Sequence, residues 1–299
     1  MNSKVQSLKA FLGGAGRLAL VEVAGTKGST PREKGAFMLV SRTAIFGTIG
    51  GGQLEYMAID KARQMVAPSG GSNRLRSTSR VAVDEVRTML DVPLGPEIGQ
   101  CCGGRVEVLI RLVDTALAAE LVAVAEAEEA HMPHVYIFGG GHVGQALAST
   151  IALLPVHGVV IETRAEALEG MPETVETRLT PMPEAEVRNA PVGTAFAILT
   201  HDHALDFLIV AEALKRDDAA YVGMIGSKTK KATFRSWFLK SADGTEAEFA
   251  RLVSPIGGDA VKDKRPPVIA ALAAAEIMTA LVSHVTADHR ALQGKMMAG

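Results

Sequence analysis

Residues 134–149 read His-Val-Tyr-Ile-Phe-Gly-Gly-Gly-His-Val-Gly-Gln-Ala-Leu-Ala-Ser, and this stretch decides the fold of the second half of the chain. Val135 to Phe138 form a short apolar run, as a parallel strand buried on both faces requires. Gly139, Gly141 and Gly144 then give Gly-x-Gly-x-x-Gly, and Val143, Ala146, Leu147 and Ile151 continue at helical spacing. Strand, tight turn and helix follow one another. Glycines allow the turn, let backbone N–H groups approach a pyrophosphate, and let the helix pack close to the strand. The helix N-terminus adds unpaired donors and partial positive charge for an anion. The next apolar run, Gly158 to Ile161, ends in Glu162, where such a unit places an acid for a ribose hydroxyl. The pattern predicts a Rossmann-like unit that binds a nucleotide; glycines kept for packing alone are the competing reading.

Working outward, residues 132–299 alternate in period. Strands are predicted near 135–138, 158–161, 194–199, 219–225 and 252–254, and helices near 142–153, 183–188, 203–216, 228–239 and 266–283. Alternating β and α elements imply a parallel sheet with helices on its faces, and ligands in such sheets sit beyond the carboxyl ends of the strands. The glycine turn, Glu162-Thr163-Arg164, Thr200-His201-Asp202-His203 and Gly226-Ser227-Lys228 all fall there. Residues 293–299 are expected as a mobile tail.

The N-terminal half reads as a mixed α+β domain, residues 1–113, joined by a helical connector over 114–131. A helix is predicted over 3–12 and a strand from Leu18 to Val23, followed by a loop, Ala-Gly-Thr-Lys-Gly-Ser-Thr-Pro-Arg (24–32). A hairpin (36–40 with 44–48) leads into Gly50-Gly51-Gly52-Gln53-Leu54-Glu55 and a helix to about Val66. Strand-like segments at 75–83 and 105–113 flank Gly-Pro-Glu-Ile-Gly-Gln-Cys-Cys-Gly-Gly (95–104), and 84–89 fits helix or loop.

Composition narrows the function. The 299 residues are 47% hydrophobic and 21% charged, with a formal net charge of −2 and no basic run, which argues against nucleic acid as the partner. Aromatics, at 4%, are too sparse for base-stacking platforms. No stretch is expected to span a membrane and the N-terminus lacks a signal-peptide core, so a cytoplasmic protein is expected. The two cysteines, Cys101 and Cys102, are adjacent and therefore no disulfide framework.

Several clusters are chemical candidates. In Cys101-Cys102-Gly103-Gly104 a thiolate would sit beside unusual backbone, needing a cation such as Arg105 or Lys27 to lower its pKa; two buried, inert thiols are the alternative. The loops around Lys27, Ser29 and Arg32 and around Gly51 and Gly52 are expected to offer backbone N–H groups as an anion cradle, unless they are ordinary turns. His201-Asp202-His203-Ala204-Leu205-Asp206 lacks the spacing of a two-metal hydrolase site. Thr200 or Asp202 is expected to cap the next helix, with His201 lining the cleft. His142 would stand at the mouth of the glycine turn, and Ser227 and Lys228 would open a helix as a further anion site.

Together these motifs resemble the XdhC/CoxI family, accessory proteins of molybdenum hydroxylases. The likeness covers nearly the whole chain. It is carried by Gly28-Ser29-Thr30-Pro31-Arg32, Gly50-Gly51-Gly52-Gln53-Leu54-Glu55, Cys102-Gly103-Gly104, the Gly139–Gly144 turn, Thr200-His201-Asp202, Tyr221-Val222-Gly223-Met224-Ile225-Gly226-Ser227 and Ser254-Pro255-Ile256-Gly257. The resemblance implies a chaperone in purine catabolism that binds molybdenum cofactor, protects it during sulfuration and helps insert it into apo-xanthine dehydrogenase. A cysteine desulfurase is the second partner, Cys102 the contact to molybdenum or its sulfur, and a homodimer is expected. One departure stands out: Lys264-Arg265-Pro266-Pro267 replaces the family's Lys-Thr-Pro-Glu-Glu.

The expectation is therefore a two-domain α/β cofactor carrier without turnover chemistry. Its rivals are an NAD(P)-dependent oxidoreductase using the same turn, with His142, His201 or Tyr221 as proton donor, and an interaction module whose turn binds nothing.

Overall fold

A computed structural model describes residues 4–67, 87–95 and 103–297, without the side chains of residue 285 and residues 287–297. The chain divides after Ala127 into two compact units.

The N-terminal unit contains α1 (Lys4–Gly14), β1 (Ala19–Lys27), β2 (Phe37–Val40), β3 (Ile45–Gly47), α2 (Gly52–Val66), β4 (Arg87–Pro93), β5 (Arg105–Leu112) and α3 (Thr115–Ala130). Its strands form an antiparallel sheet in the order β3-β2-β1-β5-β4. Successive side chains of a strand point to opposite faces. Val21 and Val23 therefore meet Leu54, Ala58 and Ala62 of α2, while Leu20 meets Leu8 of α1 and Leu117 and Ala125 of α3.

Three features differ from expectation. β1 continues through Gly25, Thr26 and Lys27, which the sequence placed in a loop, because a register shift at Ala24 lets the strand stay paired with β5. β4 occupies Arg87–Pro93, overlapping a segment read as helix or loop, and the strand expected over 75–83 lies outside the described residues. The helix read as a connector packs through Leu117, Leu121, Val122 and Ala125 into the N-terminal unit's own core.

The C-terminal unit runs β6 (His134–Phe138), α4 (His142–Ile151), β7 (His157–Glu162), a 3₁₀ turn (Ala165–Leu168), β8 (Glu176–Leu179), α5 (Pro183–Asn189), β9 (Ala195–Ile198), α6 (His203–Lys215), β10 (Tyr221–Met224), α7 (Lys228–Ser241), α8 (Glu246–Ala250), β11 (Leu252–Val253) and α9 (Pro266–Met297). All pairings are parallel, in the order β11-β10-β9-β6-β7-β8. Counted from β6, that is the 3-2-1-4-5-6 order of a doubly wound dinucleotide fold. The fold class, a parallel Rossmann-like sheet with an N-terminal mixed α+β unit, is as the sequence predicts.

The strands Val135–Phe138 and Ala195–Ile198 are fully buried because helices cover both faces. On one side Leu147 and Ile151 of α4 pack with Ala270, Ala273, Ala274, Ile277 and Leu281 of α9. On the other, α5, α6 and α7 supply Val187, Ile209, Val210, Leu214, Phe234 and Phe238. Truncating a buried ring such as Phe234 to alanine would cost about 3–5 kcal/mol. β8 escaped the sequence reading because it is an edge strand alternating Glu176-Thr177-Arg178-Leu179 in exposure, without an apolar run.

The last helix corrects two expectations. It extends to Met297, through most of the segment expected as a mobile tail. Its residues Pro266–His284 are also long and apolar enough to cross a membrane, with mean hydropathy 1.6, where the sequence reading found no such stretch. One face of this segment is the core face packed on α4 and the sheet.

Candidate functional site

Strand order reverses between β6 and β9, so the connections after these strands leave in opposite directions and open a crevice. The register aligns Phe138 with Ile161 on one side and Ile198 on the other, and Ile198 with Met224. The residues that follow these four positions therefore share one edge of the sheet. They line a cleft of about 290 Å³ formed by Gly139, Gly141, His142, Val143, Glu162, Arg164, Leu199, Thr200, His201 and Ile225.

The glycines of the turn do different jobs. Gly139 has φ +108°, and a Cβ there would stand 2.8 Å from the Leu199 carbonyl oxygen. A Cβ on Gly140 would collide with Ala167 O, and one on Gly144 with Gly139 O. These three are required by packing. Gly141 is different: its Cβ direction opens into space, and it is the N-cap of α4 with no side chain capping the helix. The first turn of α4 thus presents backbone donors to the cleft.

Glu162 ends β7 and is 5% exposed. Its carboxylate accepts from Gly140 N (2.9 Å), Thr163 N (2.8 Å) and Oγ1 (3.1 Å), and from Arg164 N (3.2 Å), Nε (3.4 Å) and Nη2 (3.2 Å). Burial pushes the carboxyl up, but the Arg164 guanidinium and the Gly140 and Thr163 donors outweigh it and hold the pKa down to about 2. Glu162 stands where the sequence placed it, with its acceptors already engaged by the protein. Arg164, which the sequence reading noted only as part of a polar motif, reaches the cleft beside it.

Below Thr200 lies a buried network absent from the sequence reading. Asp206 accepts from Thr200 N (3.1 Å) and Oγ1 (2.6 Å) and is ion-paired to Lys230, whose Nζ also donates to Ile225 O at 3.0 Å. Asp206 is 0% and Lys230 8% exposed. Burial raises the Asp206 pKa, against the hydrogen bonds of Lys230 and Thr200. The network clamps Thr200 and Ile225, both cleft residues, from behind. Asp202 caps α6 through Ala204 N and Leu205 N, as expected, and His142 and His201 are exposed at the cleft.

Other candidates stand elsewhere. Ser227 caps α7 by accepting from Lys230 N, and Lys228 is exposed, 3.9 Å from Asp259; neither lines the cleft. Tyr221 is buried and donates to Glu276 at 2.7 Å, so it offers the oxidoreductase reading no proton donor at the cleft. Glu276 also accepts from Gly257 N at 2.8 Å, which gives the Ser254-Pro255-Ile256-Gly257 motif a holding role. At the altered start of α9, Arg265 pairs with Asp263 at 2.5 Å and the first turn holds no acid.

In the N-terminal unit three glycine-bearing loops meet. Ser29 bridges Gly103, Gly103 N donates to Leu94 O and Leu94 N to Gly104 O just after β4, and Gly104 has no room for a Cβ against Ser29 O and Lys27 O. Gly50 abuts Pro31, where a Cβ would lie 2.8 Å from its Cγ. Lys27, Ser29 and Arg32 are exposed beside this junction, and Gly51 and Gly52 open α2. The anion cradle expected at the second loop is filled by the chain itself: Glu55 accepts from Thr48 Oγ1 (2.5 Å), Ile49 N (3.0 Å) and Gly51 N (3.1 Å). Burial raises the Glu55 pKa but these donors lower it more. Cys101 and Cys102 lie outside the described residues, and among the described residues no group of three or more His, Cys, Asp or Glu is placed to hold a metal ion.

Two family profiles match the chain, one described as the XdhC and CoxI family over residues 14–77 and one as the XdhC Rossmann domain over residues 135–277. The chain belongs to the XdhC and CoxI family. Its XdhC Rossmann domain contains the cleft, and its XdhC and CoxI segment contains the Gly28–Arg32 and Gly50–Glu55 loops. Uncharacterized protein YqeB of Escherichia coli (strain K12) is 26% identical over 270 residues, 87% of this chain and 43% of that protein. This XdhC-family chain thus spans less than half the length of that curated relative. A crystal structure described as a xanthine dehydrogenase from Bacillus halodurans superposes with a TM-score of 0.74 over 94% of this chain and 96% of that one, at 18% identity, and shows the same fold.

Proposed function

We propose that the protein acts in the maturation of xanthine dehydrogenase, binding molybdenum cofactor and delivering it without turnover chemistry of its own. Family membership supports the maturation role. On this reading apo-xanthine dehydrogenase is the recipient and a cysteine desulfurase the source of the sulfur.

The observation that carries the binding role is Gly141, whose open Cβ direction at an uncapped helix start leaves backbone donors facing the cleft. That arrangement fits a phosphate. Molybdenum cofactor offers one, on the pterin or on an attached nucleotide, and the Rossmann cleft takes it. The soft metal suits a thiolate, and Cys102 is the proposed ligand.

The test is binding of freshly released molybdenum cofactor to the wild-type protein, Gly141→Ala and Cys102→Ala. Tight wild-type binding weakened in both variants is expected. Loss in Cys102→Ala alone would assign the metal end to the N-terminal unit and leave the Rossmann cleft to a separate nucleotide. Folded wild-type protein that binds no cofactor overturns the carrier reading.

A further inference from the structure

In a dinucleotide fold the acid at the end of the second strand accepts both hydroxyls of a ribose. Glu162 holds that position but has nothing left to accept with. A carboxylate offers about four lone-pair sites, and Gly140, Thr163 and Arg164 already direct backbone and side-chain donors at both oxygens. With its pKa held at about 2 the group does not become a donor either. A free ribose diol reaching this point would find no acceptor.

Arg164 offers the opposite chemistry. It lines the cleft, its side chain is 42% exposed, and it spends Nε and one Nη2 hydrogen on Glu162. A guanidinium has five N–H donors in a planar fork, so the Nη1 face remains for an incoming anion. Glu162 is the one acid among the described residues of the cleft, and Arg164, Thr200, His142, His201 and the first turn of α4 are its other polar features. An arginine at this strand end accommodates a phosphate on the ribose, and guanidinium and phosphate match as a charge-assisted pair.

We infer that Arg164 makes the Rossmann cleft selective for a nucleotide whose ribose carries a phosphate, against the same nucleotide with a free diol. The inference rests on the reading of this cleft as a nucleotide-phosphate site. Two anions would then be held: one by the N–H groups at Gly141, the other by Arg164, with Glu162 as the fixed counter-ion that aims the guanidinium.

The experiment is calorimetric titration of the full chain with 2′,5′-ADP and with 5′-AMP, and of Arg164→Gln and Arg164→Lys with both. The wild type should prefer 2′,5′-ADP by about tenfold or more, the size of one charge-assisted contact. Arg164→Gln should abolish that preference while keeping the affinity for 5′-AMP, and Arg164→Lys, which keeps the charge and loses the fork, should retain part of it. Thermal unfolding of each variant confirms that it is folded. Equal wild-type binding of the two nucleotides, or a preference that survives Arg164→Gln, overturns the inference and leaves the nucleotide reading standing. Binding of neither by folded protein overturns both.

Discussion

The carboxylate of Glu162, at the end of β7, accepts the backbone N–H of Gly140 at 2.9 Å and so ties the second strand of the Rossmann unit to the turn after the first. The bond is charge-assisted and buried, which makes its worth depend on pH. The pKa of about 2 lies below the ordinary 4.5, so the stabilisation is fully present above pH 4.5 and is lost as pH falls through 2. At neutral pH Glu162→Gln should lower stability by at most about 3 kcal/mol, and the difference should vanish toward the acid end of that window. Urea titrations of both proteins across that range measure it; a constant difference would contradict the assignment.

Gly144→Ala and Gly141→Ala should separate folding from binding. The first puts a Cβ onto Gly139 O with no side chain to yield, so the C-terminal unit should lose several kcal/mol or fail to fold. The second adds a methyl in open space at φ −69°, where the gain in backbone stiffness and the loss of a good cap nearly cancel, leaving a change within about 0.5 kcal/mol. Circular dichroism melts should show one damaged and one intact protein, and the intact one should bind phosphate-bearing ligand more weakly.

Asp206 and Lys230 should be worth more as a pair than either is alone. Removing one partner strands a buried charge, so Asp206→Asn or Lys230→Met should each cost about 3–5 kcal/mol. The double variant should cost clearly less than the sum. Because Asp206 also holds Thr200 at the cleft, ligand affinity should fall in Asp206→Asn as well. Additive losses in a double-mutant cycle would show that the two groups are not coupled.

Glu55→Ala should leave Ile49 N–H and Gly51 N–H without their acceptor and cost about 1–3 kcal/mol, with faster amide exchange at both positions. With a carboxyl pKa below 4.5, this contribution too is present above that value and fades on acidification through the depressed one. Unchanged exchange at Ile49 and Gly51 would rule out these two hydrogen bonds.

Some of this protein could be read directly from its residues. Val135–Phe138 followed by Gly139, Gly141 and Gly144 encodes strand, turn and helix locally, because period, burial and glycine conformation all act within a few neighbours. The alternation of elements after it encodes a parallel sheet, and Asp202 as a helix cap follows from its place before α6. Edge strand β8 and the extension of β1 through Gly25 were hidden, since an edge strand needs no apolar run and a bulge is set by its partner strand.

The site shows the same division. Sequence alone determined that an acid stands at Glu162 and that glycines stand at the turn. Only the tertiary structure decided that Arg164 and Gly140 occupy that acid, that Gly141 rather than Gly139 or Gly144 faces open space, and that Glu55 fills the cradle predicted for an outside anion. Asp206 and Lys230 are 24 residues apart with no spacing to link them, and they meet because parallel β9 and β10 bring the starts of α6 and α7 to one edge of the sheet. Local residue type decides which chemistry a side chain offers; which donors reach it, and so whether that chemistry is still available to a ligand, is decided by chain segments that only folding brings together.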